Sequence, residues 1–320
     1  MRYSEVSDLQ NLIIAINCVL PVFIVICTGA LIRNSGKIPP EVFPKLSTMA
    51  FHFLLPCMLF YSIYQTDLSI SFDPALIGYL MAFTLIWFGV GFVVCHIFVP
   101  DHRARGAFIQ SFYRSNIAIV GISMADSMTG SEGVAAISMV IATIIPIYNI
   151  LAVVTLEVCR GGKVELRPTL VGIAKNPLII GCITGLVFLM LGITLPSSVE
   201  KAIGQLGTAG SVITLLTLGA SFQLNGVRQN IKRVAAANII RLVIAPFVAV
   251  GIAYLLGFRG VALGTILLTT APSLASTSYP MAIARDSDHE LTCQIVVTTS
   301  FLCCFTLFLW IFFLKQAGIL

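Results

Sequence analysis

The sequence predicts an all-α polytopic membrane protein of ten transmembrane helices, built as two inverted five-helix repeats, with helices 4 and 9 disrupted. Three observations carry that expectation. Ten apolar segments of about 20 residues fill nearly the whole 320-residue chain, each long enough to cross a hydrocarbon core of about 30 Å. The composition is 58% hydrophobic and 10% charged with mean hydropathy +0.98, where a soluble domain carries about 25% charged residues. Lys and Arg, finally, are distributed very unequally between alternate connections.

The segments are residues 12–32, 46–64, 74–98, 106–125, 133–158, 170–191, 203–224, 234–256, 261–284 and 291–314. In lipid each must satisfy its own backbone polar groups, hence helices. Glu5 and Asp8 precede segment 1 without a basic n-region, so it is expected to insert and remain rather than serve as a signal peptide. Polar clusters mark the boundaries: PDHRARG (100–106), RGGKVELRP (160–168), NGVRQNIKR (225–233) and RDSDHE (285–290). The longest polar connection runs over 157–176, leaving no room for a soluble domain. Pro21, Pro146 and Pro246 read as kinks in segments 1, 5 and 8.

Connections after odd-numbered segments hold thirteen cations (Arg33, Lys37, Lys45, Arg103, Arg105, Arg160, Lys163, Arg167, Lys175, Arg228, Lys232, Arg233 and Arg285). The other side holds four, Arg2, Lys201, Arg259 and Lys315, while Arg114 and Arg241 lie within segments. The positive-inside rule then makes the odd connections cytoplasmic and both termini extracytoplasmic, in the cell membrane. The net charge of +5 is modest and uneven, and suggests neither a nucleic-acid partner nor a polybasic lipid-binding tail. Nine cysteines, including Cys18, Cys57, Cys182, Cys303 and Cys304, show no metal-ligand spacing; they read as small packing residues, and no metal or cofactor is expected.

Five segments on either side of a basic connection place the second half upside down relative to the first. GAFIQSFYRSNIAIVGISMAD (106–126) runs weakly alongside GTILLTTAPSLASTSYPMAIARD (264–286), and an offset of 157 residues sets Met124 on Met281 and Asn116 on Ser273. Inverted repeats mark many secondary transporters.

The polar residues of the apolar run concentrate in these two segments. Segment 9 contains Pro272 and Pro280 with Ser273, Ser276, Thr277 and Ser278 between them. Proline removes a backbone donor, and freed polar groups at membrane depth are tolerated only where buried in protein or lining a cavity. An unwound helix facing a substrate is expected. Segment 4 carries Tyr113, Arg114, Ser115 and Asn116 about eight to ten residues inside its basic end, near the midplane at about 1.5 Å per residue. An intramembrane Arg is costly and marks a functional site by default; its planar fork suits a carboxylate, and Asn116 adds donors and an acceptor. His52, Asn149 and Arg241 form a secondary set, as polar core or candidate proton relay, with a packing role expected for His52 and a snorkelling one for Arg241. No Asp or Glu lies at the centre of a segment, so proton or sodium coupling is left open. HExxH, GxSxG and Walker motifs do not occur, so an enzyme is not expected.

LLPCMLF (54–60), SNIAIVGISMA (115–125) and APSLASTSYPMA (271–282) resemble the auxin efflux carrier family in its prokaryotic, PIN-like form, within the bile acid/sodium symporter-like superfamily. The likeness covers nearly the whole chain, though Ser123 stands where the family often has Pro. The resemblance implies scaffold helices in 1–72 and 170–226, transport-domain helices in 73–159 and 227–320, and a cytoplasmic linker over 160–169. It implies that broken helices 4 and 9 cross, that Asn116 binds a substrate carboxylate opposite Pro272 to Pro280, and that Leu55 and Pro56 face the site. It also implies an elevator-like motion and a homodimer. The expected function is secondary transport of small organic anions: mono- or dicarboxylates such as malonate or malate, or auxin-like carboxylates. The alternatives are a sodium-coupled carrier like the bile-acid symporters and a membrane ligand sensor that moves nothing.

Overall fold

A computed structural model describes residues 16, 20–66, 73–159 and 166–320, apart from the side chains at 119, 123, 127, 166–169 and 225. The start of segment 1, most of the linker and the Ser123 side chain lie outside the described residues. The described residues form helices α1 (Leu20–Asn34), α2 (Val42–Tyr64), α3 (Pro74–Phe98) and α4 (His102–Tyr113). After these come α5 (Ile117–Val158), α6 (Leu166–Ala174), α7 (Pro177–Leu191), α8 (Ser197–Ser221) and α9 (Leu224–Gln229). The chain closes with α10 (Ile231–Leu255), α11 (Gly260–Thr270), α12 (Ser278–Ala284) and α13 (His289–Gln316).

Among the described residues six helices are long and apolar enough to cross a membrane: α2, α3, α5 from Met128 onward, α8, α10 and α13. The remaining expected segments are shorter or interrupted. Segment 4 becomes α4 and the first arm of α5, and segment 9 becomes α11 and α12. Segment 6, expected as one helix, is two: α6 ends before Asn176, whose side chain caps α7 by accepting from the Leu178 N–H at 2.9 Å, and Pro177 occupies the first turn. Segment 5 extends backward into α5, which is bent at Gly130, where φ 64 and ψ −149 lie in a region open to glycine.

Local chemistry explains the ends. Asp73 caps α3 by accepting from the Ala75 and Leu76 N–H groups, with Pro74 in the first turn, so α3 occupies the expected 74–98. Two widened π-helical turns, Ala50–Leu54 in α2 and Ile240–Ile244 in α10, each lie just before a proline, Pro56 and Pro246. The wide turn accommodates the ring and missing donor that proline brings to a helix interior.

Apolar side chains face outward as well as filling the core. Phe53, Ile86, Leu191 and Leu255 face outward, whereas Arg114, Arg241, Asn116 and Asn149 are buried. Hydrocarbon gives no drive to bury apolar side chains, so helices associate through close fit and polar contacts. Helix α2 lies against both α7 and α8 because glycines admit its backbone. A Cβ at Gly181 would stand 2.6 Å from the Pro56 carbonyl oxygen, and one at Gly207 would stand 2.8 Å from the Met58 Cα. Gly207→Leu is therefore expected to lower the melting temperature by several degrees, since overpacking costs about 1–3 kcal/mol. Gly78→Leu, at a position with nothing within 4 Å, serves as control; equal melting of the two variants would contradict this packing. Elsewhere α11 lies along α5, α4 along α3, and α13 beside α12 and α10.

Candidate functional site

The two interrupted segments meet. Helix α4 stops at Tyr113 because Arg114 turns extended (φ −84, ψ 119), and α5 restarts after Asn116. Helix α11 stops at Thr270, shortly before Pro272, and α12 starts at Ser278. The non-helical stretches pair as an antiparallel bridge between Ser115 and Leu274. The Asn116 N–H donates to the Ser273 carbonyl at 2.9 Å, and the Leu274 N–H donates to Thr299 Oγ1 at 3.2 Å. Backbone groups released by unwinding thus find new partners inside protein, as membrane depth requires.

Arg241, carried on the wide turn of α10, pins this crossing. Its Nε donates to the Pro272 carbonyl at 2.9 Å, Nη1 to that of Phe112 at 3.1 Å and Nη2 to that of Thr270 at 2.6 Å. Phe112 and Thr270 lie in the last turns of α4 and α11, where carbonyls lack intrahelical partners. Each helix C-terminus carries about half a negative charge, so the two together offset about one guanidinium.

The Arg114 guanidinium donates instead to side chains. It is 2% exposed. Nη1 donates to Gln110 Oε1 at 2.9 Å and Met281 Sδ at 2.9 Å; Nη2 donates to Asn149 Oδ1 at 3.0 Å and Thr277 Oγ1 at 2.7 Å. All four acceptors are neutral. Arg114 lies between the end of α4, whose C-cap it forms, and the start of α5, so the two helix ends act on its charge in opposite senses. It borders a small cavity of about 40 Å³ together with Ser115, Asn116 and Ala118, Tyr148 and Asn149 of α5, Ser276 and Thr277, Ser211 of α8, and Leu55, Met58 and Leu59 of α2. That volume holds about one water molecule. The Asn116 side chain forms no capping bond to α5, and the buried Ser115 hydroxyl has no partner. Adjoining this cavity at Ala118 is a wider one of about 320 Å³, bordered by Tyr61, Ser62, Gln65 and Thr66 at the end of α2 and by Ser138 of α5. On the opposite side α12 packs against α2 and α8, and the Tyr279 hydroxyl hydrogen-bonds that of Ser221. Beyond it Arg285 pairs with Glu157 at 2.8 Å and donates to the Gly172 carbonyl at 3.1 Å.

Of the residues expected from sequence, Arg114, Ser115, Asn116, Ser276, Thr277, Leu55 and Asn149 border one cavity. Tyr113, Pro272, Ser273, Ser278 and Pro280 are buried around the crossing without bordering it. Tyr113 instead stacks edge-on against Phe88 and Tyr148. Pro56 packs on Gly181. His52 faces outward, its Nδ1 2.9 Å from the Thr48 carbonyl, and is not among the cavity residues. Arg241 does not snorkel: it is 1% exposed and each of its three guanidinium nitrogens bonds a carbonyl at the crossing. Sequence reasoning missed Gln110, Tyr148, Met281, Ser211, Met58 and Leu59. Gln110 had a signal, standing one helical turn before Arg114; Met58 and Leu59 had none in an apolar run.

The family model described as membrane transport protein matches residues 14–311. An uncharacterized transporter of Methanothermobacter thermautotrophicus is 23% identical over 295 residues, covering 91% of this chain and 96% of that protein. A second uncharacterized transporter, from Methanocaldococcus jannaschii, is 23% identical over 296 residues, covering 90% and 95%.

Proposed function

Because the chain belongs to the membrane transport protein family, the auxin efflux carriers, we propose that it is a secondary carrier of small organic anions with its substrate site at the crossing. The observation that carries this reading is Arg114, a buried guanidinium at a cavity wall bonded to neutral groups alone. A carboxylate placed there gains charge-assisted bonds from the guanidinium fork, replacing acceptors as weak as the Met281 thioether, while the uncapped Asn116 amide supplies further donors. The substrate class is mono- or dicarboxylates such as malonate or malate, or auxin-like acids.

In this reading α1, α2, α7 and α8 form the scaffold, and α3–α5 with α10–α13 form a transport domain that moves past it in elevator fashion. The two halves are inverted repeats. The bond between Asn116 and Ser273, the two positions equated by the 157-residue offset, supports that relation. The cavity of about 40 Å³ corresponds to a closed site. Access runs through the wider cavity at the end of α2, on the extracytoplasmic side in the proposed topology. The Tyr279–Ser221 contact holds the cytoplasmic side shut. The protein resides in the cell membrane with both termini outside. Its homodimer forms on the outward apolar face of α7, where Ile180, Ile183, Val187 and Met190 are exposed. Among the described residues the charge at the cavity is that of Arg114, and the coupling ion, proton or sodium, is read from the gradient that drives uptake.

The test is uptake of labelled short carboxylates into sealed proteoliposomes, with sodium and pH gradients imposed separately. Saturable uptake that requires the protein supports the carrier, and the gradient that accelerates it names the coupling ion. Carboxylate binding without flux under any gradient would replace the carrier with a ligand sensor.

A further inference from the structure

A further concavity, of about 610 Å³, opens on the outside of the molecule between α1, the turn after α8, α10 and α13. Its walls are apolar: Phe23, Phe222, Ile231, Val234, Val297 and Phe301. The two amide and hydroxyl side chains within it, Asn238 and Thr298, bond each other at 3.2 Å, so the groove has no polar group awaiting a ligand. It runs along α10 and α13, both apolar enough to cross a membrane, and an occupant must therefore come from the bilayer.

One end of the groove lies at the first turn of α10, where Val227, Ile231 and Ala235 border it. Arg228 and Lys232 follow the first two of these in sequence and are exposed, on the side of the chain that carries most of its cations. The other end reaches the Phe23–Phe301 ring pair, with centroids 5.4 Å apart. Phe301 stands about 18 Å into α13 at about 1.5 Å per residue, close to the middle of a core about 30 Å thick. The groove thus spans one leaflet, from headgroup level to midplane, with cations at its headgroup end.

We propose that it holds one acyl chain of an anionic phospholipid from the basic-side leaflet, with the phosphate between Arg228 and Lys232. Each such cation strengthens attraction of an anionic headgroup about fivefold, and the groove supplies apolar enclosure for the chain. Phe23 and Phe222 belong to the scaffold side of the proposed carrier, and α10 and α13 to its moving side. On that reading the lipid lies in the joint and its occupancy sets the ease of motion; the binding itself does not depend on it.

The experiment is native mass spectrometry of the purified protein equilibrated with an equimolar mixture of phosphatidylglycerol and phosphatidylcholine. The wild type is expected to retain one phosphatidylglycerol in preference to phosphatidylcholine. Arg228→Gln with Lys232→Gln is expected to reduce that preference about fivefold for each cation removed. Ala235→Trp, at an exposed position of the groove wall, is expected to expel the lipid whatever its headgroup. Equal retention of both lipids by the wild type, or undiminished retention by Ala235→Trp, would overturn the site. Equal retention by the wild type overturns the site without recourse to any variant, and loss of retention in Ala235→Trp assigns the bound lipid to this groove. Binding with equal carboxylate flux in proteoliposomes of phosphatidylcholine alone and of phosphatidylcholine with phosphatidylglycerol would leave the site standing and remove its role in transport.

Discussion

Arg114→Ala is expected to abolish carboxylate uptake while the protein still inserts and folds. Truncating one member of a buried charged pair at a binding site costs about 2–5 kcal/mol, or roughly 30- to several-thousand-fold in affinity. Stability should respond in the opposite sense to an ordinary core truncation. The native guanidinium is buried with neutral acceptors only, so folding bears its desolvation without a counter-charge. Removing it relieves that cost and lets Gln110 and Asn149 bond to water admitted into the vacated space. The melting temperature of the empty variant should therefore match or exceed that of the wild type, the stability–function trade-off of a site held in a strained electrostatic state. Arg114→Lys keeps the charge but loses the planar fork, and should retain uptake at a reduced level. Wild-type uptake by Arg114→Ala, measured in proteoliposomes, would remove Arg114 from the site.

Arg241→Met should behave in the reverse manner. Its three bonds go to carbonyls of both broken segments, and methionine leaves those oxygens without a donor in a protein interior. Each orphaned group costs about 1–3 kcal/mol, and the ends of α4 and α11 lose the charge that offset their dipoles. Against a typical net stability of about 5–15 kcal/mol, the variant is expected to yield little monodisperse protein and to melt far below the wild type. Carboxylate binding would fall only as the folded fraction falls. An Arg241→Met protein as stable as the wild type would show that the crossing holds without its pin. The two arginines thus differ in their partners: Arg241 bonds carbonyls of both broken segments, whereas Arg114 bonds neutral side chains at the cavity wall.

Much of this architecture was legible in the sequence, since membrane depth makes strong demands on local composition. Asp73 and Pro74 announce the start of α3, and the apolar run ends where the helix ends. The breaks at Arg114–Asn116 and around Pro272 were visible as polar residues and proline where an intact span tolerates neither. The Asn176–Pro177 turn was equally a local signal, but a hydropathy count absorbs it into one long segment. The role of Arg241 was not legible. Counting along the chain shows only that it lies some way inside an apolar helix; the carbonyls it bonds belong to residues 29 to 129 positions away. The contribution of α2 was hidden for a related reason: Leu55, Met58 and Leu59 look the same whether they meet lipid or a cavity. His52 shows the converse, since a polar residue in an apolar run attracts notice, yet its ring lies outward and bonds its own helix.

The proposed carrier binds an organic carboxylate at the crossing through Arg114. The most direct test of this binding is a thermal-shift comparison of purified wild type and Arg114→Ala against short mono- and dicarboxylates, with and without sodium and at two pH values. A ligand at one hundred times its Kd stabilises the folded state by about 2.7 kcal/mol. At least one carboxylate is therefore expected to raise the wild-type melting temperature by several degrees and leave that of Arg114→Ala unmoved. A panel in which no carboxylate shifts the wild type, or in which the same acid shifts both proteins equally, would contradict the account.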